Sequence, residues 1–193
     1  VRRFEEQRWI LDNLIQTVGV EWDQPRVNYM SAPGGLEAMG DFRAAAARIA
    51  KYADVDREFM GAARRRQAKA EALEKEGRTV AARESYFIAS LLWATARWPI
   101  HEANERLLDL EVKMNHCYAK FIQHSTRTIE RVEIPFGSQF LPAYLHLPIG
   151  IVPGKKVPCV ITSQGMDGCK ETGASIYGDK LLERGIAVFA MDG

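Results

Sequence analysis

The chain has 193 residues, 47% of them hydrophobic and 26% charged, a globular balance that excludes disorder, collagen-like repeats and disulfide scaffolds. Its 26 basic and 25 acidic residues leave a formal charge of +1. They are evenly spread, 19 and 18 over residues 1–124 and the remaining 7 and 7 over residues 125–193, so there is no basic footprint for nucleic acid.

From the N-terminus, Phe4, Trp9, Ile10, Leu11, Leu14, Ile15 and Val18 recur at helical spacing, and Gly19 is placed to end that helix. The stretch EWDQPRVNYMSAPGG, rich in Pro, Gly and aromatic residues, reads as a loop. A short helix follows over about residues 36–52. Asp54 or Asp56 is positioned to cap a long helix that stops at Gly77. Thr79 can cap the next helix, which Pro99 closes from the far side. A last helix spans about residues 101–124. Trp9, Trp22, Tyr29, Trp93 and Trp98 are expected mostly in the core, with Trp22 and Tyr29 the candidates to line a pocket. Arg64–Arg65–Arg66 reads as a solvated helix face.

The segment AEALEKEGRTVAARESYFIASLLW has small residues where two antiparallel helices would touch and Gly77 at the turn. It resembles a tetratricopeptide helix pair, yet the 34-residue period occurs nowhere else, and a solenoid needs about three repeats. A plain helical hairpin is the expectation.

After residue 125 the period changes. TRTIERVEIPF alternates Ile129, Val132 and Ile134 with charged residues, as in an edge strand with one wet face. Gly137–Ser138 offers a turn, and FLPAYLHLP pairs back as a hairpin. VPCVITS is a continuous apolar run, expected to be a strand buried on both faces. GASIYGDKLLERG reads as a helix with Ile176, Tyr177, Leu181 and Leu182 on one side. IAVFAMD is a second apolar strand. Strand–helix–strand units of this length place their two strands parallel. The expected organisation is a helical domain over residues 1–124 and an α/β domain over residues 125–193.

Cys117, Cys159 and Cys169 form an odd set without pairing spacing, which argues for a reducing compartment and a cytoplasmic protein. There is no CxxC, HExxH or Cys/His cluster for zinc. No run reaches the ~18 apolar residues of a membrane span, and no signal-peptide pattern opens the chain. Two parallel strands and a hairpin do not cover both faces of VPCVITS and IAVFAMD, so a further segment is expected to complete the sheet.

A hairpin, a strand ending SQGMDGCKE, a helix ending LLERG and a strand ending FAMDG together resemble the N-terminal half of an α/β-hydrolase fold. The resemblance is closest to the branch that holds 2,6-dihydroxypseudooxynicotine hydrolase, the fungal yellowish-green polyketide-shortening hydrolases and the fermentation-respiration switch esterases. There a helical N-terminal region forms much of a lid. A strand then ends in a turn that Gly165, Met166, Asp167, Gly168, Lys170 and Glu171 match. The implied fold is a helical lid domain followed by the first half of an α/β-hydrolase core, with a sheet incomplete in these residues.

The family's catalytic Ser sits on a Gly-x-Ser-x-Gly elbow, and none occurs here. Neither Ser163 nor Ser175 has a Gly on both sides at that spacing. His101, His116, His124 and His146 lie upstream of the family's triad order and read as surface or core histidines. The nucleophile, acid and base are therefore expected outside these residues.

The resemblance does imply one catalytic element, an oxyanion-hole N–H from the loop after VPCVITS. Met166 is the expected donor, with Gly165 and Gly168 allowing the turn. Trp22, Tyr29 and Asp167 are the expected substrate contacts. Asp192 reads as a structural turn residue. The implied activity is a serine-type hydrolase acting on an ester, or on a C–C bond next to a ketone, in an aromatic or polyketide-like small molecule. No metal or organic cofactor is implied. The apolar surplus on the helices and the resemblance both suggest a homodimer. The alternative is a non-enzymatic helical interaction module with an incomplete hydrolase-like domain.

Overall fold

In a computed structural model the chain divides into two units, Val1–Tyr118 and Ala119–Gly193. The structure describes the backbone of residues 2–152, 154–165 and 168–192, and their side chains apart from residues 2–4, 25 and 176–178. Phe4, Ile176 and Tyr177 thus lie outside the described side chains.

The helical unit begins with α1 (Arg2–Val18), which Gly19 ends at a φ of 78°. The expected loop that follows is largely helical. A 3-10 turn over Val20–Trp22 leads to α2 (Gln24–Ser31), and a second turn over Ala32–Gly34 leads to α3 (Gly35–Ala46). Asp23 makes α2 possible: its carboxylate accepts from the Arg26 backbone N–H at 3.2 Å and from Arg26 Nη1 at 2.5 Å, a cap at the N-terminal end.

A long helix, α4, covers Val55–Lys75. Asp54 stands at its cap position but turns its carboxylate back to the N–H groups of Ala50 and Lys51. α5 is Thr79–Ala96, with Arg78 at the cap position, so Thr79 is already inside the helix. Gly77 makes the turn between these helices at a φ of 73°, where a side chain would be strained. α6 spans Glu105–Gln123. It starts later than its apolar pattern suggests, because Asn104 Oδ1 accepts from the Leu107 N–H at 2.9 Å and caps it there.

Trp93, Tyr86, Leu91, Leu92, Leu110, Met114 and Tyr118 are fully buried in this unit. α4 and α5 pack as the hairpin the sequence predicts, and their polar atoms are matched across it. Trp93 Nε1 donates to Gln67 Oε1 at 3.0 Å, and the Tyr86 hydroxyl donates to Glu74 Oε2 at 2.6 Å. Two expectations fail here. Trp9 is 62% exposed, and Arg66 is buried. Arg66 reaches across to Glu37 and Asp41 on α3, which a run of three arginines does not reveal.

The second unit carries a four-stranded sheet in the order β1-β2-β4-β3. β1 (Ile129–Phe136) and β2 (Gln139–His146) form the hairpin about Gly137, in the register Ile129 with His146 through Phe136 with Gln139. Pro135 is tolerated because β1 is an edge strand. β3 (Cys159–Ser163) and β4 (Ala187–Met191) pair in parallel, Cys159 with Ala187 through Ser163 with Met191. α7 (Lys170–Leu182) joins them. β4 lies between β2 and β3 and is mostly buried. β3 corrects the expectation of a doubly buried strand. Its apolar residues are largely exposed, Ile161 at 69%, because among the described residues it has a neighbour on one side only. Among the described residues no helix is long and apolar enough to cross a membrane.

Candidate active-site loop

The C-terminal ends of β3 and β4 meet the start of α7 at one edge of the sheet, where open α/β sheets gather functional groups. The loop from β3 to α7 begins with Gln164. The Gly168 N–H donates to the Gly165 carbonyl at 2.9 Å, closing a four-residue turn. Met166 and Asp167, which follow Gly165 in sequence, lie outside the described residues. The two glycines differ. A Cβ on Gly168 would come 2.5 Å from Gln164 Cβ, whereas one on Gly165 would meet nothing within 4 Å. Gly168 is therefore required by space, and Gly165 leaves an approach open.

A third glycine, Gly173, holds the helix against the sheet. A Cβ there would lie 2.8 Å from Ala190 Cβ and 2.9 Å from Thr162 Oγ1. This position was missed in the sequence, although a glycine inside a helical pattern is the kind of signal that marks close packing.

Three charged residues fix the start of α7. Asp192 Oδ1 accepts from the Lys170 backbone N–H at 2.7 Å, and its Oδ2 accepts from Lys170 Nζ at 2.8 Å. The helix is thus capped by a carboxylate from the end of β4, 22 residues away in sequence. Lys170 Nζ also lies 2.9 Å from Glu171 Oε1 and 5.6 Å from the centre of the Tyr144 ring. Lys170 and Glu171 are both buried. Burial works against the Lys170 ammonium, but the charges of Glu171 and Asp192 outweigh it and hold the group protonated well above its usual range. Burial, aided by the Glu171 charge, pushes the Tyr144 hydroxyl up to about 12, so it stays a neutral donor. The side-chain atoms Thr162 Oγ1 and Gln164 Nε2, beside Gly173, are buried without hydrogen-bond partners among the described residues.

The four histidines have different surroundings. His146 is fully buried at the end of β2, and burial with the nearby Arg127 charge drives it down to about 3, so it is neutral. His101 shares a 2.9 Å hydrogen bond with the Tyr52 hydroxyl in the helical unit. His116 is exposed and His124 half-buried. Ser163 is exposed, its hydroxyl 3.5 Å from the Gln164 carbonyl. Trp22 and Tyr29 are 39% and 58% exposed. Neither lines the helical unit's cavities of about 470 and 360 Å³. Among the described residues no cluster of three metal-ligating side chains occurs.

The parallel β3–α7–β4 unit and its glycine turn fall inside a match, over residues 57–193, to the family model described as esterase FrsA-like. The chain belongs to the FrsA-like esterase family. It is 30% identical over 112 residues to the esterase FrsA of Vibrio vulnificus, covering 58% of this chain and 26% of that protein. It is 28% identical over 181 residues to the alpha/beta hydrolase xenA of Xenoacremonium sinensis, covering 90% of this chain and 41% of that one. The crystal structure of 2,6-dihydroxy-pseudo-oxynicotine hydrolase superposes with a TM-score of 0.67 at 22% identity, over 89% of this chain and 45% of that chain. That likeness establishes the fold, a helical region followed by part of an α/β-hydrolase sheet. The 193 residues span between about a quarter and under half of these FrsA-like and hydrolase relatives.

Proposed function

We propose that this chain is the helical lid and first half of the core of a serine-type α/β-hydrolase. Its nucleophile, acid and base are supplied from outside these 193 residues, which contain no Gly-x-Ser-x-Gly elbow. The observation that carries the reading is the glycine turn at the end of β3, closed by the Gly168-to-Gly165 hydrogen bond beside a parallel strand, in a chain of the FrsA-like family. In this reading a Ser oxygen attacks a carbonyl carbon and negative charge develops on the carbonyl oxygen. In this reading the Met166 N–H stabilises that charge, a contribution of about 3 kcal/mol for one donor. Ser gives its proton to the base; collapse of the intermediate expels the alkoxide of an ester, or the carbon of a C–C bond next to the attacked ketone when a second carbonyl or a phenol stabilises it as a carbanion, and that leaving group takes up the proton. Water then releases the acyl group.

Trp22, Tyr29 and Asp167 are the proposed contacts to an aromatic or polyketide-like small molecule. Trp22 and Tyr29 have the exposure to contact one. The protein is proposed to be cytoplasmic and to form a homodimer through its helical unit, where Trp9, Leu108 and Val112 are exposed. Light scattering on the full-length protein tests the dimer, and a clean monomer at micromolar concentration overturns it.

Met166→Pro tests the oxyanion donor, because it removes the N–H itself. In the full-length enzyme kcat is expected to fall roughly 10²–10³-fold, with Met166→Ala nearly silent. Thermal unfolding of the same variant guards against local disruption at Gly165. A normally folded Met166→Pro enzyme with near-native kcat would place the donor elsewhere.

A further inference from the structure

Away from the sheet, the helical unit holds a basic groove that the hydrolase reading does not use. On α4, Ala62, Arg65, Arg66 and Lys69 fall at the i, i+3, i+4, i+7 spacing of one helix face. Across from them, Asp41 and Ala44 on α3 and Arg48 just beyond it complete the wall of a cavity of about 360 Å³. The wall thus carries four cations and one carboxylate.

The four cations are engaged to different degrees. Arg48 Nε is held by Glu58 at 2.8 Å. Arg66 is buried and fixed at two points, Nε on Asp41 at 2.5 Å and Nη1 on Glu37 at 2.6 Å. Its Nη2 makes no hydrogen bond among the described residues. Lys69 Nζ stands 3.7 Å from Glu37, beyond hydrogen-bond range. Arg65 has no ion pair or hydrogen bond among the described residues. Counting Glu37 and Glu58 with Asp41, three carboxylates face four cations, so one positive charge is left over. Arg65, the loosely paired Lys69 and the fixed Arg66 guanidinium therefore line a space kept open by two alanines.

We infer that this groove binds a phosphoryl group, as a small phosphate ester or a free phosphate. Phosphoryl oxygens are arranged tetrahedrally, so one group can take donors arriving from several directions at once. Arg66, pre-oriented by its two carboxylates, supplies a fixed guanidinium edge, and Arg65 and Lys69 close over the ligand from α4. A planar carboxylate is matched by a single bidentate arginine and gains less from three separate donors.

The test is calorimetric titration of the full-length protein at constant ionic strength with inorganic phosphate, pyrophosphate, glycerol 3-phosphate and citrate. Saturable binding of the phosphoryl probes is expected. It should weaken about ten-fold or more in the Arg65→Ala/Lys69→Ala double variant, since charge-assisted contacts are the strong ones. Both side chains are exposed, so this variant should melt as the wild type does. Ala44→Leu, also at an exposed position, fills the groove without changing charge and should weaken binding equally. Tighter glycerol 3-phosphate than phosphate assigns an ester, the reverse assigns the free ion, and either upholds the site. Four outcomes overturn it: no saturable binding to the wild type, undiminished binding by the double variant, undiminished binding by Ala44→Leu, or citrate held as tightly as pyrophosphate.

Discussion

The two units bury apolar residues by different rules. In the helical unit, burial follows from the sequence next door: α5 buries Leu91, Leu92 and Trp93, Trp93 bonds to Gln67 of α4, and the short Gly77 turn supplies that partner. In the sheet unit, two apolar runs that look alike have opposite fates. β4 is mostly buried because it lies between β2 and β3, while β3 exposes Ile161 at 69%. The comparison teaches that a helical hairpin carries its partner with it. A strand's burial depends on neighbours chosen by topology. The units also differ in buried charge. Arg66 in the helical unit keeps two well-formed hydrogen-bonded carboxylates, whereas Glu171 in the sheet unit has, among the described residues, an ion pair with Lys170 and no well-formed hydrogen bond.

That contrast makes Lys170 the most sensitive place to break the sheet unit. Lys170→Met leaves the buried Glu171 carboxylate without its cation and removes the Nζ bond to Asp192, while the backbone N–H that Asp192 caps remains, and should cost about 3–5 kcal/mol. Urea unfolding of the full-length protein reads it. A cost below that of an ordinary surface change would show that the Lys170–Glu171–Asp192 cluster is not buried in solution.

In the helical unit the expected weak point is packing. Leu92→Ala removes a fully buried side chain and should cost about 3 kcal/mol. Denaturation monitored by helical circular dichroism checks this, and a near-neutral result would mean that Leu92 is not buried in solution.

His146 offers a pH handle on the sheet unit. Burial, with the Arg127 charge, lowers it from its usual 6.5 to about 3. Below pH 6.5 the unfolded chain takes up a proton that the folded chain refuses, so stability should fall as the pH drops from about 6.5 to about 3. The slope from this residue is at most about 1.4 kcal/mol per pH unit. His146→Gln should flatten that stretch of the stability curve, and an unchanged curve would mean that His146 is accessible.

The smallest effect is expected at the exposed edge. Ile161→Ser on β3 should change the stability of the 193-residue chain by no more than about 0.5 kcal/mol, against the larger loss at Leu92. A cost of several kcal/mol in the full-length protein would instead reveal a further segment packed on β3.

Much of this was legible in advance. The hairpin about Gly137, the parallel pairing of the two apolar strands and the Gly77 helical turn follow from period and turn residues alone. The 21–35 stretch reads as a loop because its Pro and Gly signals mask a helix that Asp23 caps through Arg26. The start of α6 was misplaced because its apolar pattern does not show that Asn104 supplies the cap.

Apart from residues 21–35 and the start of α6, the sequence by itself determined which segments are helices and strands, and which loop carries the glycines, because both are set by interactions a few residues apart. Only the tertiary structure decided that Asp192 caps α7 across 22 residues, that Gly173 must be small to clear Ala190 and Thr162, that Arg66 turns inward, and that β4 rather than β3 lies inside the sheet. Each of these depends on a partner far along the chain, and no local period records where such a partner will arrive.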